Sequence, residues 1–214
     1  MNMLRDPKSS MTHLIGGGLS IIALVMMLSK LVLTGNTGVA FYVASMMFGI
    51  SMILLYLTSG IYHAISDKYK KAVKILRKLD HSMIYVLIAG SYSPLCLLVL
   101  PRSTGIPVLV FLWSIALVGI IMKVCWMNQP RIFSTMIYIV MGWTALFVVK
   151  DLYAYMDLRA FVLLFLGGVF YTIGGVIYAI KKPNIPSWSF HDIFHIFVML
   201  GTLSHFLMVY LYII

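Results

Sequence analysis

The sequence predicts an all-α integral membrane protein built as a bundle of seven transmembrane helices. Three observations predict it. The chain of 214 residues is 62% hydrophobic and only 10% charged, whereas ordinary soluble domains carry about 25% charged residues. Its mean hydropathy is +1.00, which leaves more apolar surface than a soluble fold of this length can hide. The apolar residues also fall into seven runs, each near the length of about 20 residues that a helix needs to cross a bilayer.

The first run covers 12–34. Its leader, MNMLRDPKSSMTHLIGGG, sets positive residues before an apolar stretch as a signal peptide does. The stretch is long, however, and no A-x-A-like cleavage site follows it, so it reads as a retained first span. TGNTG then separates it from the second run, 39–65.

The charged run 66–79 divides the second span from the third. Within DKYKKAVKILRKLD, the residues Tyr69, Ala72, Val73, Leu76 and Leu79 follow helical spacing, while most lysines and arginines fall elsewhere around the helix. Two readings stay open: a short amphipathic helix held on the inner leaflet by anionic lipid headgroups, or a solvated positive loop that serves topology alone.

The third span covers 80–100, with Asp80 and His81 of KLDHSMIY in its first turn and a kink expected at Pro94. The fourth, 106–127, lies between PRSTGIP and MNQPR, and the fifth, 132–150, ends at KDLYAYMDLR. In the sixth, 159–180, Gly167, Gly168, Gly174 and Gly175 let a neighbouring helix approach closely. KKPNIPSW introduces the seventh, 191–214. Interfacial aromatics are expected at Trp188, Tyr153 and Tyr155. With no internal repeat and no low-complexity tail, residues 1–214 read as one seven-helix transmembrane domain.

The charges orient the bundle. With the amino terminus inside, twelve of the sixteen basic residues lie on the cytoplasmic side, leaving Lys30, Arg102, Lys150 and Arg159 outside. Short cytoplasmic loops carry the excess of Lys and Arg, so the amino terminus is expected in the cytoplasm and the carboxyl terminus outside. The formal charge of +10 is spread between apolar spans, which indicates a partnership with membrane lipid and not with nucleic acid. Cys96 and Cys125 form no C-x-x-C pair, so neither a disulfide framework nor a thiolate metal site is indicated. Nothing in the pattern specifies an oligomeric state.

Polar residues from three distant stretches reach the same end of this arrangement. Ser59 and His63 close the second span, Asp80 and His81 open the third, and His191 and His195 open the seventh. All six acidic residues are aspartates, and ionisable groups retained inside a membrane segment mark candidate functional sites. His191 and His195, at i and i+4, share one helix face with Cβ atoms about 5–6 Å apart. With His63 they make three imidazoles, the ligand set of many catalytic zinc sites that keep one position open for water. Imidazole also suits iron, copper or nickel; zinc is the expected ion. Bound zinc brings the pKa of its water to about 7. Asp80 is placed to take that water's proton, and Ser59, one turn from His63, to orient a ligand or donate to a developing oxyanion.

Plainer roles exist for the same residues. Membrane histidines also hydrogen-bond between helices, and an aspartate in a first turn caps the helix and meets the positive end of its dipole. Asp192 invites comparison with the acid of H-E-x-x-H metalloproteases, but it is a shorter side chain in a membrane helix and reads as a polar residue near the helix start. His81 lies about 100° around its helix from Asp80 and reads as a packing or supporting residue. His205, ten residues beyond His195, is about 15 Å away and too deep for the same ion. His13 is a candidate for supporting contact.

SGIYHAI (59–65), ILRKLDHSMIYVLIAGSYSP (75–94) and FHDIFHIFVMLGTLSHF (190–206) resemble the signature stretches of the hemolysin III family, the bacterial branch of the progestin and adipoQ receptor family and a distant relative of alkaline ceramidases. The resemblance covers nearly the whole chain. It implies zinc bound by His63, His191 and His195, with Asp80 contacting the zinc-bound water and Ser59 beside the site. Many relatives have glutamate where Asp192 stands and an acidic stretch before the TH of span one, where RDPKSSM has little acid. The long amino-terminal domain of the animal receptors has no counterpart here, so hormone binding does not transfer.

The resemblance to ceramidases implies a zinc-dependent hydrolase cleaving an amide or ester bond in a lipid, with a role in membrane lipid homeostasis. One alternative is a non-enzymatic sensor or structural protein in which zinc ties spans two and seven together. Another is a cytolytic (hemolysin) pore-former, against which seven resident apolar helices argue, since a secreted toxin must survive in water before it inserts.

Overall fold

Among the described residues, seven helical spans long and apolar enough to cross a membrane make up the fold. The structure, a computed structural model, describes residues 5–126 and 128–214. Helix α1 spans Pro7–Leu33, α2 Val39–Ala64, α3 Lys70–Pro94, α4 Arg102–Cys125, α5 Arg131–Gly142, α6 Val149–Tyr155, α7 Leu158–Ile180 and α8 Phe190–Met208. A 3₁₀ stretch, Trp143–Val148, joins α5 to α6 within one span. Large apolar side chains such as Leu33 and Phe147, both 87% exposed, point outward. Only hydrocarbon tolerates such a belt around helices whose backbone groups are bonded internally. The chain is a multi-pass membrane protein.

Local chemistry explains most boundaries. Pro7 occupies the first helical position of α1, where its missing N–H costs nothing. After Pro94, α3 relaxes into a π-helical turn, Leu95–Val99, because proline removes the regular i→i−4 bond at that point. Inside, small residues let the helices close up. A Cβ on Gly90 of α3 would sit 2.3 Å from Ser51 Oγ on α2. The sixth-span glycines divide between two neighbours. Gly167 and Gly174 face His205 and Phe197 of α8, while Gly168 and Gly175 face Trp143 and Thr135 of the fifth span.

Three expectations change. The charged run 66–79 is neither a loop nor a separate surface helix: from Lys70 it forms the first turns of α3 itself. Ala72, Val73 and Leu76 are half-buried there, while Tyr69 and Leu79 are exposed. Asp80 and His81 therefore lie well inside α3, about 15 Å from its start, and Asp80 is no helix cap. KDLYAYMDLR is likewise not a break from its beginning, because α6 carries the fifth span on to Tyr155. Charged residues lowered the apparent hydropathy of 70–79 and 150–155, yet neither segment contains proline or glycine, and lysine is a good helix former.

Candidate metal centre

The three candidate histidines meet at one end of the bundle. His63 lies in the last turn of α2, and His191 and His195 in the first two turns of α8. One ring nitrogen from each falls within 4.8 Å of the others. His63 Nε2 and His191 Nε2 are 3.1 Å apart, and His63 and His195 are buried.

The start of α8 is fixed by a capping box. The Ser189 backbone N–H and hydroxyl donate to Asp192 Oδ2 at 2.9 and 2.8 Å, and the Asp192 N–H donates back to Ser189 Oγ at 3.2 Å. Asp192 is thus a cap, more than a polar residue near the helix start. Its other oxygen accepts from Ser9 Oγ at 2.6 Å, which ties α1 to α8 beside the histidines.

Geometry and donor chemistry both suit a metal ion. Two imidazole nitrogens on one tetrahedral zinc stand about 3.3 Å apart, given Zn–N bonds near 2.0–2.1 Å, close to the 3.1 Å observed. Two Nε2 lone pairs facing each other at that distance repel unless a proton or a cation lies between them. His63 Nδ1 is already engaged, 2.9 Å from Asp6 Oδ2. His195 Nδ1 faces Thr12 Oγ1 at 3.5 Å. Three buried or half-buried imidazoles with converging nitrogens can hold a metal ion.

Asp80 and Ser59, both buried, line an apolar cavity together with His191 and His195. That cavity, of about 120 Å3, has room for roughly ten water-sized groups, enough for a run of methylenes. His63 instead faces a polar vestibule shared with Arg5, Asp6 and Asp192. His81, Tyr178 and His191 line both spaces, so the cluster stands where the apolar cavity meets the polar mouth. His81 supports this boundary, with Nδ1 3.1 Å from Asp80 Oδ2 and Nε2 3.2 Å from Tyr178 Oη. His205 is remote, as its spacing required; its Nε2 lies 3.2 Å from the Leu164 carbonyl.

Asp6 is the residue that sequence reasoning missed. It precedes α1, yet its N–H donates to the His63 carbonyl at 3.0 Å and its carboxylate meets the His63 ring. Burial alone raises the Asp6 carboxyl, but hydrogen bonds from His63 and Arg5 outweigh it and hold the group below its ordinary value. The one available signal was an aspartate in a nearly acid-free leader; its partner, 57 residues away, is visible only in the fold.

Known proteins resemble the chain along almost its full length. The profile of the family described as Haemolysin-III related matches residues 1–206. The chain is 43% identical over 205 residues to Hemolysin-3 homolog from Bacillus subtilis (strain 168), covering 95% of this chain and 92% of that protein. It is 35% identical over 206 residues to Hemolysin-3 from Bacillus cereus, covering 96% and 90%. A fainter likeness, 24% over 173 residues, links it to the human Monocyte to macrophage differentiation factor, covering 79% and 70%. A seven-helix membrane bundle with a three-histidine cluster and a family profile matched from its first residue to residue 206 lead to one conclusion: the chain belongs to the haemolysin-III related family.

Proposed function

We propose that this protein is a zinc-dependent hydrolase of the cell membrane that cleaves an amide or ester bond in a lipid and so serves membrane lipid homeostasis. The carrying observation is the placement of the His63, His191 and His195 cluster at the mouth of an apolar cavity that Asp80 and Ser59 also line. Zinc held by these imidazoles supplies Lewis-acid chemistry, polarising a carbonyl and acidifying water. The chain's own groups do the rest. The cavity takes the acyl chain and keeps water from the tail. Asp80 accepts the proton of the attacking water and returns it to the leaving group. Ser59 donates a hydrogen bond to the carbonyl oxygen as it gains charge. The excess of basic residues on the segments flanking this end supports a cytoplasmic amino terminus and an external carboxyl terminus, with the site near the inner face.

A structural tie is the second reading, favoured by the cluster's position between α2 and α8. The test measures metal content and fatty acid release from a bacterial lipid extract for the detergent-purified protein, His191→Ala and Asp80→Ala. The hydrolase reading expects about one zinc per chain, lost in His191→Ala and kept in Asp80→Ala, with release abolished in both. Zinc without turnover leaves the structural tie, and absence of stoichiometric metal overturns both readings.

A further inference from the structure

Asp6 stands at the N-cap position of α1, where an aspartate ordinarily accepts a hydrogen bond from the first backbone N–H groups of its helix. Its side chain makes no such bond. The carboxylate turns to α2 instead, with Oδ2 2.9 Å from His63 Nδ1. Its own main chain and Arg5 hold it there. The Asp6 N–H donates to the His63 carbonyl at 3.0 Å, Arg5 Nε donates to the same Asp6 oxygen at 3.2 Å, and Arg5 Nη2 donates to the Tyr62 carbonyl at 2.8 Å. The Arg5 guanidinium also lies 4.1 Å from the Tyr62 ring centroid. Asp6 is therefore docked on the end of α2 by its main chain and by its neighbour, independently of the contact it makes with the histidine.

That contact decides which nitrogen of His63 carries a proton. An ionised carboxylate only accepts, and a neutral imidazole has one N–H. With Asp6 as acceptor the hydrogen is on Nδ1, and Nε2 is left as a lone pair. Nε2 is the nitrogen turned toward the cluster, 3.1 Å from His191 Nε2. Metal binding requires just such a neutral imidazole. Neither other histidine is served as well: His195 Nδ1 has Thr12 Oγ1 only at 3.5 Å, and among the described residues no carboxylate lies within ion-pair distance of His191 or His195.

We infer that Asp6 is a positioning residue of the metal centre, holding His63 in the tautomer and orientation that present Nε2 to the ion, so that the residue preceding α1 completes the site. This rests on the reading of the cluster as a metal site. Carboxylates that support a ligating histidine contribute about 10- to 100-fold in metal affinity.

The experiment uses the full-length protein in detergent, stripped of metal. Zinc is titrated against a chelating competitor, and cobalt is titrated in parallel to follow the visible absorption of a tetrahedral site. Asp6→Ala is expected to weaken zinc binding toward the upper end of that range, about 100-fold. Asp6→Asn retains an oxygen that accepts from Nδ1 and is expected to lose only about tenfold. The thermal midpoint of each metal-free variant separates this role from a merely structural one: a strap that only braces α1 lowers the midpoint and leaves affinity alone. Zinc binding by Asp6→Ala within twofold of the parent overturns the inference while the metal site stands. Should Asp6→Ala fail to fold, unchanged affinity in Asp6→Asn overturns it equally. A parent protein that takes up no zinc overturns the metal reading itself, and this inference with it.

Discussion

His13 of α1 stacks face to face on His195 of α8, with ring centroids 3.5 Å apart and planes 7° from parallel. Tyr56 of α2 meets the His13 ring edge-on at 5.0 Å. His13 is buried, and neither of its ring nitrogens has a partner among the described residues. What His13 gives His195 is therefore a flat surface that holds the second ring in place. His13→Phe keeps that surface and replaces two unpaired nitrogens with carbon, so it is expected to match the parent's stability in a detergent melt. His13→Ala leaves a cavity beneath His195 and is expected to lose about 2 kcal/mol or more. Equal losses in the two variants would show that the nitrogens matter.

Gly167 gives His205 its place. A Cβ at residue 167 would lie 2.3 Å from His205 Cδ2 and 2.4 Å from Nε2, and that nitrogen faces the Leu164 carbonyl at 3.2 Å. Gly167→Ala is expected to destabilise the protein by about 1–3 kcal/mol through overpacking. Gly168→Ala, whose Cβ would meet nothing nearer than 3.9 Å, is expected to be neutral. Denaturation of the double variant Gly167→Ala/His205→Ala should recover part of the loss, since the two side chains compete for one space.

The α8 cap is coupled to the histidine cluster through the first turn it fixes. Ser189→Ala removes one hydroxyl and is expected to cost about 1 kcal/mol. Asp192→Ala removes the other half of the box and also strands the buried Ser9 hydroxyl that donates to it at 2.6 Å, so a larger loss is expected. Both variants should bind zinc more weakly than the parent in a competition titration, because His191 and His195 sit on the turns that the cap orders.

Acid sensitivity at the other end of the bundle has a local source. Asp157 caps α7, accepting from the Arg159 N–H at 2.8 Å and from its guanidinium, and the Arg159 hydrogen bonds hold its carboxyl below the ordinary 3.8. A group with a depressed folded value stabilises the fold above the unfolded value and loses that contribution as pH falls through the folded one. Thermal midpoints of Asp157→Asn measured down the acid range should fall less steeply than those of the parent. The carboxylate is exposed, so the difference should also shrink in high salt.

The span pattern was legible because it rests on composition summed over many residues. About 20 consecutive apolar side chains mean a membrane helix whatever they touch, and all seven expected spans are found. Charged stretches were harder. Lys70–Leu79 and Asp151–Tyr155 look like loops by hydropathy, but helix propensity and continuity with an adjoining span extend the helix through both. The histidine cluster was legible for a similar reason, since i, i+4 spacing puts His191 and His195 on one face before any tertiary contact forms.

By itself, then, the sequence determined that this chain crosses the membrane seven times and brings His63, His191 and His195 to one end of the bundle. Hydropathy and helical periodicity are local properties, readable within a window of a few turns. Only the tertiary structure decided what surrounds those imidazoles: Asp6 on His63, His13 beneath His195, Ser9 on Asp192, and Asp80 three turns inside its helix. The first three contacts join side chains far apart in the chain, and no local pattern encodes which helix face meets which. That choice is made by packing, where Gly60 of α2 admits Leu14 of α1 and Gly167 of α7 admits His205 of α8, because helices in lipid associate by the fit of their surfaces.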